Sequence, residues 1–249
     1  MTDHTAYFQA GPEHPADAPL SLVVVSAGTG NPSSSRLLAD RITQKTADLL
    51  RRQGRTPAIQ IIELAPLAVD IAQTIVSGFP GERLQTAIQQ LAAADGVIAV
   101  SPVYTAGISG LFKSFFDVLD NDLIVAKPTL LAATAGSSRH ALVVDGQLRP
   151  MIAYLRALAV PTSIFAAPED WGDFALGERI TRAVTELATL MTTAVGAAIT
   201  DHVWNGYQHR FSGNATRAQQ TAADVDFDTP LMRLATGGAI PRQSDPSDT

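Results

Sequence analysis

Cysteine is absent from the 249 residues, which removes disulfides, thiolate metal sites, iron–sulfur clusters and cysteine nucleophiles together. Aromatic residues make up only 6%, so no base-stacking platform for nucleic acid is evident. Excess positive charge is missing as well. Eighteen Lys+Arg against 24 Asp+Glu leave a net charge of -6, which argues against non-specific nucleic-acid binding. Long apolar runs are lacking too: the longest uncharged apolar stretch, Leu187 to Thr200, falls short of the ~18–20 residues that span a bilayer. The first nineteen residues carry acids, histidines, Pro12, Pro15 and Pro19 instead of a basic start and an apolar run, so no targeting signal is read there. The expectation is a cytoplasmic protein that engages neither nucleic acid nor membrane.

What is present is an ordinary globular composition, 46% hydrophobic and 17% charged, in a length suited to one large domain with tails. Short apolar β-type runs alternate with helical patterns. Leu22–Ser26, Ala58–Leu64, Gly96–Ser101, Thr129–Thr134 and Thr162–Ala166 read as strands. Helices are expected at about Ser35–Gln53, Glu82–Ala93, Leu111–Leu119, Leu148–Leu158 and Ile180–Ala198. In the first of these Leu38, Ile42, Leu49 and Leu50 share a face and Gly54 stands where a helix-ending glycine belongs. Ala65 to Gly81 has a weak pattern, and a loop that long is usually functional or partly helical. Apolar strands separated by helices indicate a parallel sheet covered on both faces. With right-handed crossovers, the α/β class and a doubly wound five-stranded sheet in the order 2-1-3-4-5 follow. The expected division is a flexible tail at 1–19, the sheet domain at 20–200, and a C-terminal extension at 201–249.

Ligands of such sheets sit beyond the carboxyl ends of the strands, where the strand order reverses. Three segments therefore belong together. The first, Ser26-Ala-Gly-Thr-Gly-Asn-Pro-Ser-Ser-Ser-Arg36, brings hydroxyls, one cation and free backbone N–H groups to a helix start, which suits a phosphate; simple capping by a serine is the plainer alternative. No lysine stands here for a P-loop, and Ser33 occupies the third glycine position of a dinucleotide fingerprint. Glu63 ends the second strand as a ribose-binding acid would, but lies beyond the ~20-residue spacing of that motif. A monophosphate held by hydroxyls fits better. The second segment, Ser101-Pro-Val-Tyr-Thr-Ala-Gly-Ile-Ser-Gly-Leu-Phe-Lys113, carries a stiffening Pro102, an amphipathic Tyr104, and Gly107 and Gly110 for close approach of a flat ligand. Lys113 and Asp117 stand i, i+4 and read as a solvated ion pair. The third, Thr134-Ala-Gly-Ser-Ser-Arg-His140, offers small residues whose N–H groups suit the polar edge of a planar ring; His140 is either structural or catalytic.

At these loops the chain resembles the NAD(P)H-dependent FMN reductases of the flavodoxin-like superfamily, closest to those that feed alkanesulfonate-type and luciferase-like monooxygenases. Ser33, Ser34, Ser35 and Arg36 match the second half of that family's phosphate loop, whereas Gly28 and Gly30 stand where serine and arginine often occur. Pro102, Tyr104, Gly110 and Lys113 match a Pro-x-Tyr segment with a downstream Gly-x-x-Lys, and Thr134 to Pro150 is similar to a Thr-Gly-Gly-Ser…His…Asp…Leu-Arg-Pro stretch. The resemblance implies FMN and NADPH or NADH as cofactors, with no catalytic acid–base residue and no metal. It implies Thr29, Gly30, Ser33, Ser34, Ser35 and Arg36 around the phosphate and ribityl tail. Pro102, Val103, Tyr104 and Thr105 would border the ring; Thr134, Ala135, Gly136 and Ser137 would face its polar edge. His140, Asp145 and Arg149 would lie near the subunit interface and the flavin edge.

The implied reaction is hydride transfer from the nicotinamide to FMN, with reduced FMN supplied to a partner monooxygenase by a homodimer or homotetramer. An FMN-bound quinone or azo reductase and a non-catalytic flavodoxin-type electron carrier are the alternatives. Trp204, Tyr207 and Phe211, and the apolar island Phe227 to Leu234, would either pack on the domain or clasp a dimer. Arg36, Arg83 and Arg139 are the candidates for contacting a nucleotide 2′-phosphate.

Overall fold

A computed structural model describes residues 18–201. Strand β1 (Leu20–Ser26) leads into helix α1 (Ser34–Arg52), followed by β2 (Pro57–Glu63), α2 (Ala68–Ser77) and α3 (Glu82–Ala92). Next come β3 (Gly96–Tyr104), a short return strand β4 (Gly107–Ile108) and α4 (Gly110–Asp117). The remainder holds β5 (Pro128–Thr134), α5 (Arg149–Tyr154), β6 (Leu158–Ala159), β7 (Ile164–Ala166), α6 (Phe174–Thr192) and α7 (Val195–Ile199). Trp204, Tyr207, Phe211, the Phe227–Leu234 island and the 1–17 part of the expected tail lie outside the described residues.

The sheet runs β2-β1-β3-β5, with β6 and β7 sharing the free edge of β5, and all of these pairings are parallel. This is the expected doubly wound order with two differences. The fifth strand is split, since β6 pairs with Pro128–Thr129 and β7 with Ala132–Thr134. Pro161 lies between the pieces and has no N–H to continue a ladder. Arg149 bridges the break, donating to the carbonyls of Val160 (2.9 Å) and Pro161 (3.1 Å). β4 is the second difference: it turns back antiparallel on the end of β3.

Strands β1, β3 and β5 are buried almost throughout because helices cover both faces. On one face α1 and α6 enclose Leu22, Val24, Leu38, Ile42, Ile180 and Leu187. The other face collects Val25, Leu84, Ile88, Phe112, Phe115 and Leu148 beneath α2 to α5. Each such side chain contributes about 1.5–3 kcal/mol by leaving water. β2 is the outer strand and keeps only Ile62 buried.

Local signals set the ends of the elements. Ser33 caps α1 by accepting from the Arg36 N–H, Arg51 and Arg52 occupy its last turn, and Gly54 leaves it at φ 75°. The weakly patterned 65–81 segment contains a 3₁₀ turn (Ala65–Leu67) and α2. The helix expected at 148–158 is shorter at its end, stopping at Tyr154 after a π-type turn at Val144–Leu148. The last long helix begins earlier than expected, at Phe174 with Asp173 as its cap, and is interrupted at Ala194, whose φ is 48°. Among the described residues no helix is long and apolar enough to cross a membrane.

Candidate functional site

The loops after β1, β3 and β5 leave adjacent strands at the same sheet edge, because these strands are neighbours in register. Side chains then join the loops directly. The Thr29 and Tyr104 hydroxyls lie 3.0 Å apart, tying the first loop to the second. Ser35 and Thr134, both buried, share a 2.6 Å hydrogen bond that ties the first loop to the third. Ser34 donates to Thr134 as well, at 3.5 Å, so hydroxyl contacts join all three sequence segments into one surface.

In the first loop Gly28 has a steric role: a Cβ there would lie 1.9 Å from Ser33 Oγ, the capping atom of α1. Gly30 and Thr29 are exposed, as is Ser34, while Ser35 is buried with its hydroxyl on Thr134. The Arg36 N–H is capped, which leaves those of Ser34 and Ser35 without an intrahelical acceptor. With no acid in the first turn of α1, this end favours an anion. The Arg36 side chain, however, does not reach out freely. Its Nε donates to Asp40 at 2.8 Å and its Nη1 to Glu63. Hydrogen bonding to Asp40 is the main reason its pKa is raised, with Glu63 adding to it.

The second loop is a tight hairpin. Pro102 is buried and Val103 half-buried within β3, and Tyr104 is 50% exposed at its end. Tyr104 pairs with Gly107 across Thr105 and Ala106, whose φ values are 48° and 61°. Two consecutive positive φ angles define a type I′ turn, normally filled by Asn and Gly. Gln147, which the sequence reading did not single out, clamps this turn. It accepts from the Ile108 N–H at 3.0 Å and donates to the Ala106 carbonyl at 3.3 Å. Ser101 adds a second anchor by accepting from the Ser109 N–H at 3.0 Å. No pattern in the sequence marks Gln147, because its partners are backbone atoms some forty residues away.

In the third loop Thr134 is buried, Ala135 donates its N–H to the Ala166 carbonyl (3.2 Å), and Gly136 is exposed. Ser137 caps a short 3₁₀ turn containing His140. Glu169, from the segment after β7, has a lowered pKa because its own backbone and then the Ser138 hydroxyl donate to it. Asp145 and Arg149 pair with each other at 2.9 Å, and Asp145 also accepts from Ser163. They staple the broken edge strand. Lys113 and Asp117 form the expected exposed ion pair. Of the three arginines considered for a 2′-phosphate, Arg36 and Arg83 bind carboxylates, whereas Arg139 is exposed in the third loop.

The site therefore offers a polar, N–H-rich helix end at α1, an exposed tyrosine on a hairpin, and a small-residue loop. No group of three or more His, Asp or Glu able to hold a metal occurs among the described residues. These donors fit a phosphorylated planar ligand, whose phosphate suits the α1 end and whose ring suits the two other loops.

Comparison with known proteins agrees with this geometry. The family model for NADPH-dependent FMN reductase matches residues 20–172. An FMN reductase (NADPH) from Pseudomonas aeruginosa is 32% identical over 171 residues, covering 69% of this chain and 89% of that one. The NADH-dependent FMN reductase SfnE of Pseudomonas putida is 34% identical, covering 68% and 89%. Among solved structures, an oxidoreductase from Corynebacterium diphtheriae superimposes with a TM-score of 0.68 at 41% identity, covering 70% of this chain and 97% of that one. The chain belongs to the NADPH-dependent FMN reductase family, flavodoxin-like enzymes that use FMN and a reduced nicotinamide nucleotide.

Proposed function

We propose that this protein transfers hydride from NADPH or NADH to FMN and releases reduced FMN to a flavin-dependent monooxygenase. The observation that carries the reading is the junction of the three loops through Thr29–Tyr104 and Ser35–Thr134. When bound, the flavin supplies the hydride-accepting N5, and the protein's part is to bind and orient. Ser33, Ser34 and the first-turn N–H groups of α1 hold the phosphate, with Thr29 and Gly30 beside the ribityl chain. Pro102 to Thr105 supply the ring platform. The N–H groups of Gly136 and Ser137 face the pyrimidine edge, where donors stabilise developing negative charge. Ser35 and Thr134 act from beneath, by fixing the two loops against each other. No side chain has to exchange a proton in this scheme, in keeping with a site made of hydroxyls and amides.

The sheet domain at 20–200 is the catalytic unit, acting in the cytoplasm. We infer a homodimer or homotetramer, with 201–249 contributing to its interface. Leu142 (81%) and Tyr154 (72%) are exposed apolar side chains available to such an interface. Purified protein should oxidise NADPH or NADH in the presence of FMN and not in its absence. Flavin-independent oxidation, or none with either nucleotide, would remove the reductase reading. Light scattering gives the oligomer, and a variant truncated after Ala223 should have a smaller mass.

A further inference from the structure

Arg36 is the one cation in the loop from Ala27 to Arg36, which contains no acid. A protein built to retain FMN would direct such a guanidinium at the phosphate, where bidentate hydrogen bonds are strongest. Here two of its nitrogens are engaged by Asp40 and Glu63. Both carboxylates are fixed in place. Asp40 stands one turn further along α1. Glu63 ends β2 directly opposite Ser26, the last residue of β1, and the pairing continues with the Leu64 N–H donating to the Ser26 carbonyl at 2.9 Å. The trio carries one positive and two negative charges at the base of the phosphate loop.

We propose that Glu63 and Asp40 hold Arg36 away from the flavin phosphate and thereby keep FMN affinity low enough for reduced FMN to leave. The inference rests on the reductase reading above and adds to it a pair of affinity-limiting residues. A phosphate monoester carries roughly -1.5 to -2 at pH 7. It therefore meets hydroxyls, the N–H groups of Ser34 and Ser35, and an arginine whose charge is already matched. The nearby carboxylates oppose it. Binding then relies on the helix end and the ring platform.

The test uses the full-length protein and compares FMN with riboflavin, which has the same ring and lacks the phosphate. Affinities are read by titration calorimetry or by flavin fluorescence. Glu63→Gln and Asp40→Asn keep acceptors for Arg36 while removing the negative charges, so the helix and strand ends retain their contacts. The double variant should bind FMN about tenfold more tightly, the size of one charge-assisted hydrogen bond. It should release reduced FMN correspondingly more slowly and bind riboflavin as the wild type does. Arg36→Ala added to the double variant should remove most of the gain, since the freed guanidinium supplies it. Unchanged FMN affinity in the double variant overturns the proposal. So does an equal gain for riboflavin, which would signal a reshaped loop, or a gain that survives in full when Arg36→Ala is added to the double variant. A wild-type protein that binds neither flavin overturns the reductase reading itself, an outcome distinct from normal wild-type binding without any effect of the carboxylates.

Discussion

Gly28 is the position where the loop after β1 is least able to accept a side chain. A Cβ there would sit 1.9 Å from Ser33 Oγ, 3.1 Å from Ser33 Cβ and 3.2 Å from Ser35 Cβ. The hydroxyl can rotate away only by giving up its bond to the Arg36 N–H. Loss of an N-cap costs about 1 kcal/mol. The two remaining contacts require the loop to shift, and overpacking of this kind costs typically 1–3 kcal/mol. Gly28→Ala should therefore destabilise by about 2–4 kcal/mol, or roughly 4–16 °C in Tm at this chain length. The same shift displaces Ser33 and Ser34, so FMN affinity should fall too. Removing the offending oxygen provides an internal check. Ser33→Ala alone should cost about 1 kcal/mol, and Gly28→Ala added to it should cost less than it does in the wild type, a coupling measurable by a double-mutant cycle. Calorimetric melting and flavin titration are the assays. A Gly28→Ala protein that melts within about 1 °C of wild type and binds FMN normally would refute the argument.

Three further outcomes follow from other parts of the fold. Ala106 adopts φ 61°, a conformation that costs an L-residue about 1–2 kcal/mol; against the roughly 0.4–1 kcal/mol of unfolded-state entropy that glycine adds, Ala106→Gly should raise stability by about 0.5–1 kcal/mol in urea, and no gain would deny the strain. Gln147→Leu removes both hydrogen bonds to the hairpin and should cost about 1–3 kcal/mol while raising KM for FMN more than it lowers kcat; Gln147→Glu, which keeps the acceptor for Ile108, should recover part of that loss, and equal kinetics in all three proteins would count against the clamp. Burial lowers the pKa of Lys127 from 10.5 in the folded chain, so the unfolded chain binds more protons between the folded value and 10.5. Stability supplied by this group therefore rises with pH through that window, and Lys127→Met should lack the rise, as denaturant midpoints measured across alkaline pH would show.

Much of the fold was legible because parallel strands covered on both faces are written as continuous apolar runs. Val23 to Val25, Ile98 to Val100 and Leu130 to Ala133 need no tertiary information to be read as strands. Ser33 and Gly54 marked the start and end of α1 by their local chemistry. The split of the last strand was harder, since two residues at Leu158–Ala159 are too few to show a period. The hairpin at Thr105–Ala106 was illegible for a different reason. Its turn type calls for Asn-Gly, and this chain places Thr-Ala there and compensates with Gln147 from a distant segment. At the site, loop membership could be read from strand ends, but hydroxyl partners could not. Ser34 and Ser35 look alike in sequence; only the packing of β5 beside α1 decides that Ser35 is buried against Thr134. Arg36 was recognisable as the local cation, whereas its pairing with Glu63 depends on the register of β1 with β2.

These long-range contacts share one consequence for how the site operates. Each of the three loops is short and polar, and alone would sample many conformations at little cost. Thr29–Tyr104, Ser35–Thr134 and the Gln147 clamp connect them through groups that belong to the protein, so ordering is completed before a ligand arrives. A preorganised site loses little conformational entropy on binding, and can therefore bind usefully without a strong charge–charge contact. That is the condition under which Arg36 can remain with Asp40 and Glu63. If the loops had to be ordered by the flavin itself, the phosphate would need a free arginine to offset the ordering cost, and tight retention would follow once it was bound. Rigid hydroxyl ties and a neutralised cation are thus two parts of one arrangement. Under the proposed function, the first would make the flavin's orientation dependable, and the second would keep its departure fast.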